Sequence, residues 1–228
     1  MEYPIRINKY LRDIGLASRR EADKLVESGL VFVNGKRADN GAMVKEKDNV
    51  VVKKATGAAV KEYKYLAYYK PRNLSTQDLP GKESVITKWR DQGIYPVGRL
   101  DKSSEGLLLL TNDGRFAREV LSNSSKYEKE YLVTVKEPLR IGVVKIFAGG
   151  METQSLGKLL PARSRIINST KMQVILNEGK RHQIRVMFNE LNYTIASLKR
   201  IRIGDIKIGN LKPGDARPIS VSFRPNQK

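Results

Sequence analysis

The chain has no cysteine and only one histidine, His182, among its 228 residues. The first absence excludes structural disulfides, cysteine nucleophiles and Cys-based zinc sites. The second leaves nothing from which to build a His-rich metal centre or a paired-histidine acid/base device. Chemistry has to rest on carboxylates, Arg, Lys, Tyr or Ser. No apolar run approaches the ~20 residues that span a bilayer. The opening Met1-Glu2-Tyr3-Pro4-Ile5-Arg6 has no apolar stretch behind its basic residue, so no secretory leader is expected and the expected location is the cytoplasm. Acidic residues are also short: 24 Asp+Glu face 43 Lys+Arg, a net charge of +19. An excess of that size points to a polyanionic partner held through its phosphates. No basic amphipathic helix suggests a membrane surface instead.

The length suits one small and one medium domain, and 40% apolar residues supply a core for both. Residues 1–62 hold 13 basic and 9 acidic side chains, residues 63–228 hold 30 and 15, so the second segment dominates the electrostatics. Ile7, Tyr10, Leu11 and Ile14 recur at helical spacing before Gly15. Ser18-Arg19-Arg20-Glu21 reads as a capping box that opens a helix with Ala22, Leu25 and Val26 on its apolar stripe and Gly29 at its end. Val31-Phe32-Val33 and Val50-Val51-Val52 read as strands, and Asn34-Gly35 suits a type I′ turn. Residues 53–62, small and charged without a sheet pattern, read as a linker.

Beyond the linker, strands are expected at Tyr65–Tyr69 (stopped by Lys70-Pro71), Leu107–Leu110, Tyr131–Val135 and Met172–Leu176. Helices are expected over 115–122, 140–149 and 182–191, the last with Ile184, Met187, Phe188 and Leu191 on one face. The fold class expected is α+β: a small N-terminal domain over 1–52 and, over 63–228, a mixed, mainly antiparallel sheet flanked by helices.

Three polar blocks stand out. Gly98-Arg99-Leu100-Asp101-Lys102-Ser103-Ser104-Glu105-Gly106 feeds the apolar run and continues through Thr111-Asn112-Asp113-Gly114, so Asp101 sits on a rigidly supported loop between two cations that favour its ionised form. Lys129-Glu130-Tyr131-Leu132-Val133 lies on a strand. Glu178-Gly179-Lys180-Arg181-His182-Gln183-Ile184-Arg185-Val186-Met187-Phe188 puts Lys180 and Arg181 at the expected start of a helix, where the macrodipole disfavours cations; a bound phosphate or Glu178 would relieve the conflict. His182 reads as a hydrogen-bonding residue at that helix start rather than a proton-transfer group. Lys199-Arg200-Ile201-Arg202, on an expected strand, extends the basic surface.

These blocks resemble the pseudouridine synthases, in the branch containing the small-subunit enzyme RsuA and the large-subunit enzymes RluB, RluE and RluF. The stretch from Gly98 to Gly114 is similar to the branch's G-R-L-D-x-x-S/T-x-G-L-L-L-L-T-N-D-G signature, 129–133 to its K-x-Y block, and 178–188 to its third block. Val186 departs from a commonly basic position. The first fifty residues resemble the RNA-binding module first described in the fourth ribosomal small-subunit protein, through Arg6-x-Asn8-Lys9-Tyr10-Leu11, Ser18-Arg19-Arg20-Glu21-Ala22 and Val31-x-Val33-Asn34-Gly35. Lys102 and residues 129–135 look closer to the F-type large-subunit enzyme.

The resemblance implies isomerisation of a uridine to its C-glycoside in structured ribosomal RNA, without cofactor or metal, by a monomer. Asp101 would attack the anomeric carbon or abstract the ribose 2′ proton; both routes stay open. Arg185 would keep that carboxylate ionised and oriented, and Tyr131 would stack on the uracil. The nucleotide should be extruded from its helix. Arg6, Lys9, Arg19, Arg20 and Lys24 of the N-terminal module, with Arg99, Lys102, Lys180, Arg181, Lys199 and Arg200 of the larger domain, would hold RNA phosphates. The 23S rRNA is favoured as substrate, with 16S rRNA or tRNA as alternatives. A non-enzymatic ribosome-assembly factor would need Asp101 idle. A methyltransferase with the same N-terminal module would need a glycine-rich nucleotide loop, which is absent from the sequence.

Overall fold

The computed structural model describes residues 1–53, 62–78, 80–122 and 127–221. The expected linker therefore falls almost wholly outside the described residues. Two compact units emerge. One falls within Met1–Tyr63, Asp113–Arg118 and Ser220–Lys228, the other within Lys64–Asn112 and Glu119–Ile219. The short segment 113–118, expected in the larger domain, thus groups with the first unit.

In the first unit the elements are β1 (Ile5–Arg6), α1 (Ile7–Asp13), α2 (Arg19–Glu27), β2 (Val31–Val33), β3 (Lys36–Arg37), β4 (Met43–Val44) and β5 (Val50–Val52). The Ser18 hydroxyl accepts from the Glu21 amide and the Glu21 carboxylate accepts from the Ser18 amide, so the capping box forms as expected. Asn34 and Gly35 take φ of 50° and 77°, as a type I′ turn requires. Ile7, Leu11, Ala22, Val26 and Val31 close a small core against the sheet order β3-β2-β5.

The second unit is built on β6 (Tyr65–Lys70), α3 (Val85–Trp89), β7 (Tyr95–Pro96) and β8 (Glu105–Thr111), followed across the unit boundary by α4 (Gly114–Leu121). Next come β9 (Lys129–Val135), α5 (Gly142–Gly149), β10 (Glu152–Thr153), β11 (Gly157–Lys158), β12 (Arg163–Asn168) and β13 (Lys171–Leu176). The chain ends with α6 (Gln183–Glu190), β14 (Ile195–Ile203), β15 (Ile206–Lys207) and β16 (Ala216–Pro218). The main sheet runs β12-β13-β9-β14-β8-β6-β16, with β15 on β14 and β7 on β8. β8 and β14 pair in parallel, and the other pairs of this sheet are antiparallel.

Leu107, Leu108, Leu109 and Leu110 are fully buried, so β8 is covered on both faces. That explains the unbroken apolar run where a half-exposed strand would alternate, and each leucine contributes roughly 1.5–3 kcal/mol of burial. On the far side of the sheet, α5 and α6 pack Val143, Phe147, Ile184, Met187 and Phe188 against β9, β13 and β14. β12 and α3 lie outside the expectations. β12 is an edge strand with mostly polar, part-exposed residues, and α3 is capped by a Ser84/Thr87 box rather than the usual Glu or Gln. Among the described residues, no helix is long and apolar enough to cross a membrane.

Candidate active site

β8 is the support on which the site is built. Gly106 near its start has φ +108°, and it faces Arg200 of β14 across the parallel join. The two backbones approach so closely that a Cβ on Gly106 would lie 2.2 Å from the Arg200 carbonyl oxygen. The loop before Glu105 is thereby brought beside β14 and, through β14, beside β9.

A strap following β6 laces this loop down. Thr76 Oγ1 donates to the Leu100 carbonyl at 2.7 Å and accepts from the Leu100 amide at 3.2 Å. The Asn73 amide donates to the Lys102 carbonyl, and the Ser104 amide closes a turn onto the Asp101 carbonyl. Lys70 is fully buried, and its ammonium donates to the carbonyls of Pro71 and Leu74 at 2.8 Å and of Lys102 at 3.4 Å. Burial lowers its pKa to about 8, with Asp101 acting in the opposite direction and the Arg200 charge reinforcing the drop.

The Lys70 shift has a testable sign. The folded pKa lies below the ordinary lysine value of 10.5, so between about pH 8 and 10.5 the unfolded chain binds more protons and stability rises with pH. Urea unfolding of wild type and Lys70→Met across that range should show the difference, wild type minus variant, growing as pH rises. A flat difference would mean that folding does not lower the Lys70 pKa.

Asp101 occupies the lip of a cavity of about 190 Å³. Arg185 Nε lies 3.5 Å from one Asp101 oxygen, and His182 Nε2 lies 3.4 Å from the other. At 3.5 Å the Arg185 contact is an electrostatic pairing rather than a hydrogen bond, and Nε has no hydrogen-bond partner among the described residues. Arg185 Nη2 donates to the buried Ser104 hydroxyl at 3.0 Å, which orients the guanidinium toward the carboxylate. Tyr131 forms another wall of the cavity, with Val97, Leu100, Lys129, Leu176, Ile184, Leu198 and Arg200. The three blocks that resemblance singled out thus meet at one cavity with mixed apolar and cationic walls, and a carboxylate and a guanidinium on its rim.

The cations divide into groups. Arg6, Lys9, Arg19, Arg20 and Lys24 are exposed on the first unit. Arg99, Lys102 and Arg181 are exposed and, with Lys180 and His182, line a second cleft on the other side of Asp101. Lys199 lies on β14 with its ammonium 4.7 Å from the Tyr69 ring centre.

Several expectations are corrected. α6 starts at Gln183, so Lys180 and Arg181 precede it, and Lys180 donates to the carbonyls of Leu156 and Lys158 rather than awaiting a counter-ion. Glu178 accepts from the Leu160 amide and Gln183 Nε2 instead. His182 caps the helix in the left-handed conformation (φ 55°) with no capping hydrogen bond from its side chain; its imidazole is turned to Asp101. Arg200 is 5% exposed rather than part of the basic surface, because its side chain points to the covered face of the sheet. Lys70, Thr76 and Lys129 had no site role in the sequence reading. For Lys70 a signal existed: a cation closing an otherwise buried strand has to find partners.

The sequence pattern described as RNA pseudouridylate synthase matches residues 48–190, and that of the S4 domain matches residues 5–50. This chain belongs to the RNA pseudouridylate synthase family. It is 34% identical over 227 residues to an uncharacterized RNA pseudouridine synthase of Aquifex aeolicus (strain VF5), covering 95% of this chain and 90% of that protein. Its identity to the dual-specificity RNA pseudouridine synthase RluF of Escherichia coli (strain K12) is 31%, over 95% of this chain and 76% of that one. The ribosomal large subunit pseudouridine synthase B of Bacillus subtilis (strain 168) is 33% identical, with 94% and 92% covered. A crystal structure of a pseudouridylate synthase shares the fold, with a TM-score of 0.70 at 24% identity over 95% of this chain and 96% of that one. As a pseudouridine synthase the chain is an isomerase carrying an S4 RNA-binding domain.

Proposed function

We propose that this pseudouridine synthase isomerises one uridine of 23S rRNA, in the cytoplasm and as a monomer, with Asp101, Arg185 and Tyr131 as its catalytic set. The supporting observation is the meeting of these residues, from three separate blocks of sequence, at one cavity with room for a flipped-out ring. Asp101 engages the ribose at or next to the anomeric carbon. Arg185, anchored by Ser104, orients the carboxylate. Tyr131 takes the uracil face to face while the N-glycosidic bond breaks and the base rejoins through its five-position carbon.

Extrusion of the nucleotide is required because the anomeric carbon is out of reach in a stacked helix. The S4 domain and the cations lining the second cleft, Arg99, Lys102 and Arg181, hold phosphates and set register. The large-subunit assignment draws support from the name of the Bacillus subtilis relative. Unmodified 23S, 16S and tRNA transcripts, incubated with the protein and mapped by carbodiimide-adduct stops, test it. One strong stop in 23S rRNA is expected. A stop confined to 16S rRNA or tRNA would overturn the large-subunit assignment, and no stop in any RNA would overturn the catalytic one.

A further inference from the structure

Arg200 is buried where the sequence pattern would put a surface cation, and it lines the cavity on the β14 side. Its register partner across the antiparallel join is Tyr131 of β9, so the two side chains stand next to each other on one face of the sheet. Two of its nitrogens are accounted for: Nε donates to the Leu107 carbonyl at 2.7 Å, and Nη1 approaches the Arg99 carbonyl at 3.5 Å. Nη2 is buried with no hydrogen-bond partner among the described residues. A charged donor left so carries a desolvation cost that an acceptor would remove.

Lys129, also on β9 and also lining the cavity, is a second cation here. Its pKa is lowered by burial and, secondarily, by the Arg200 charge. The inner wall is therefore electropositive, whereas Asp101 and its partners occupy the lip.

Resting on the pseudouridine synthase reading, we propose that Arg200, assisted by Lys129, binds the carbonyl oxygens of the extruded uracil and stabilises the base as it departs. When the bond from N1 to the anomeric carbon breaks, its electron pair stays on N1 and is delocalised onto O2 and O4. The anomeric carbon is taken by the Asp101 carboxylate, or it becomes part of a glycal as the neighbouring 2′ proton passes to that carboxylate. No proton reaches the base in this step, so O2 and O4 gain negative charge, and preformed donors beside them bind more strongly than in the ground state. A phosphodiester does not fit this position. Phosphates follow the solvated outside of the RNA, where Arg99, Lys102 and Arg181 are exposed, whereas a 5%-exposed guanidinium beside Tyr131 is reached only by a base inside the cavity.

The test is a single-turnover comparison on target RNA carrying uridine or 5-fluorouridine, following consumption of the target nucleoside. Fluorine withdraws electron density, so the fluorinated base departs with less need of help. Arg200→Met should slow uridine consumption by about 100-fold and 5-fluorouridine consumption by at least fivefold less, with partial recovery in Arg200→Lys. Should Arg200→Met fail to fold, Lys129→Met carries the same test, with a loss of roughly 10-fold on uridine and a smaller one on 5-fluorouridine. Equal slowing on the two substrates overturns the proposal alone. Wild-type protein that consumes neither overturns the synthase reading as well.

Discussion

Asp101→Asn should abolish uridine conversion while leaving the protein folded and bound to RNA. The substitution keeps shape and removes charge, so what is lost is the group proposed to engage the sugar. Where an enzyme's carboxylate only orients another catalytic group, the same change costs about 10⁴-fold. Loss of a reacting group costs up to roughly 10⁶-fold. A drop of at least 10⁴-fold in the single-turnover rate is therefore expected. Affinity should hold, because phosphate contacts generally dominate RNA binding and the cations proposed to make them are unchanged. The fold should hold too, because among the described residues the Asp101 side chain pairs with His182 and Arg185 at long range, 3.4 and 3.5 Å. Quantifying pseudouridine by liquid chromatography beside a filter-binding isotherm separates the two effects. A variant within tenfold of the wild-type rate would remove Asp101 from the chemistry.

Gly106→Ala should be the most destabilising single methyl group in the larger unit. Its Cβ would meet the Arg200 carbonyl oxygen, amide nitrogen and carbonyl carbon at 2.2, 2.8 and 3.0 Å, and none of those backbone atoms can rotate away. The residue's φ of +108° adds strain for any L side chain. Strain of ~1–3 kcal/mol and a comparable overpacking cost combine to about 2–6 kcal/mol, a large part of a typical domain's ~5–15 kcal/mol. Because the β8–β14 join sets the Asp101 loop beside Arg200 and Tyr131, activity should fall along with the urea midpoint. Gly142→Ala at the start of α5 is the control: a Cβ there meets nothing within 4 Å, and the change should stay under about 1 kcal/mol. Equal midpoints for the two variants would show that β8 and β14 do not approach as described.

Much of this was legible before any coordinates, for physical reasons particular to each residue. The Ser18 box, the Asn34-Gly35 turn and the Leu107–Leu110 strand follow from local rules: a cap, a positive φ and a run with no polar alternation. Asp101, Tyr131 and Arg185 stood out through the strings around them. Arg200 reads as a surface cation for phosphate, because an alternating strand states that its two faces differ without saying which face is covered. That depends on how α5 and α6 pack against the sheet, which the strand's own pattern does not state. His182 looked like an ordinary helix-start residue because its nearness to Asp101 is a contact across more than eighty positions. Thr76 acts on the Leu100 carbonyl and amide, which leave no mark in a pattern of side chains.

Catalysis at this site requires that the cavity receive an extruded uridine with its sugar at Asp101. A crystal structure of the Asp101→Asn protein bound to its target stem-loop measures that directly. The expected result is a flipped nucleotide whose anomeric carbon or 2′ position lies roughly 3–3.5 Å from the residue 101 side chain, with the uracil against Tyr131. A target uridine still stacked in its helix, or a ribose lying outside this cavity, would contradict it.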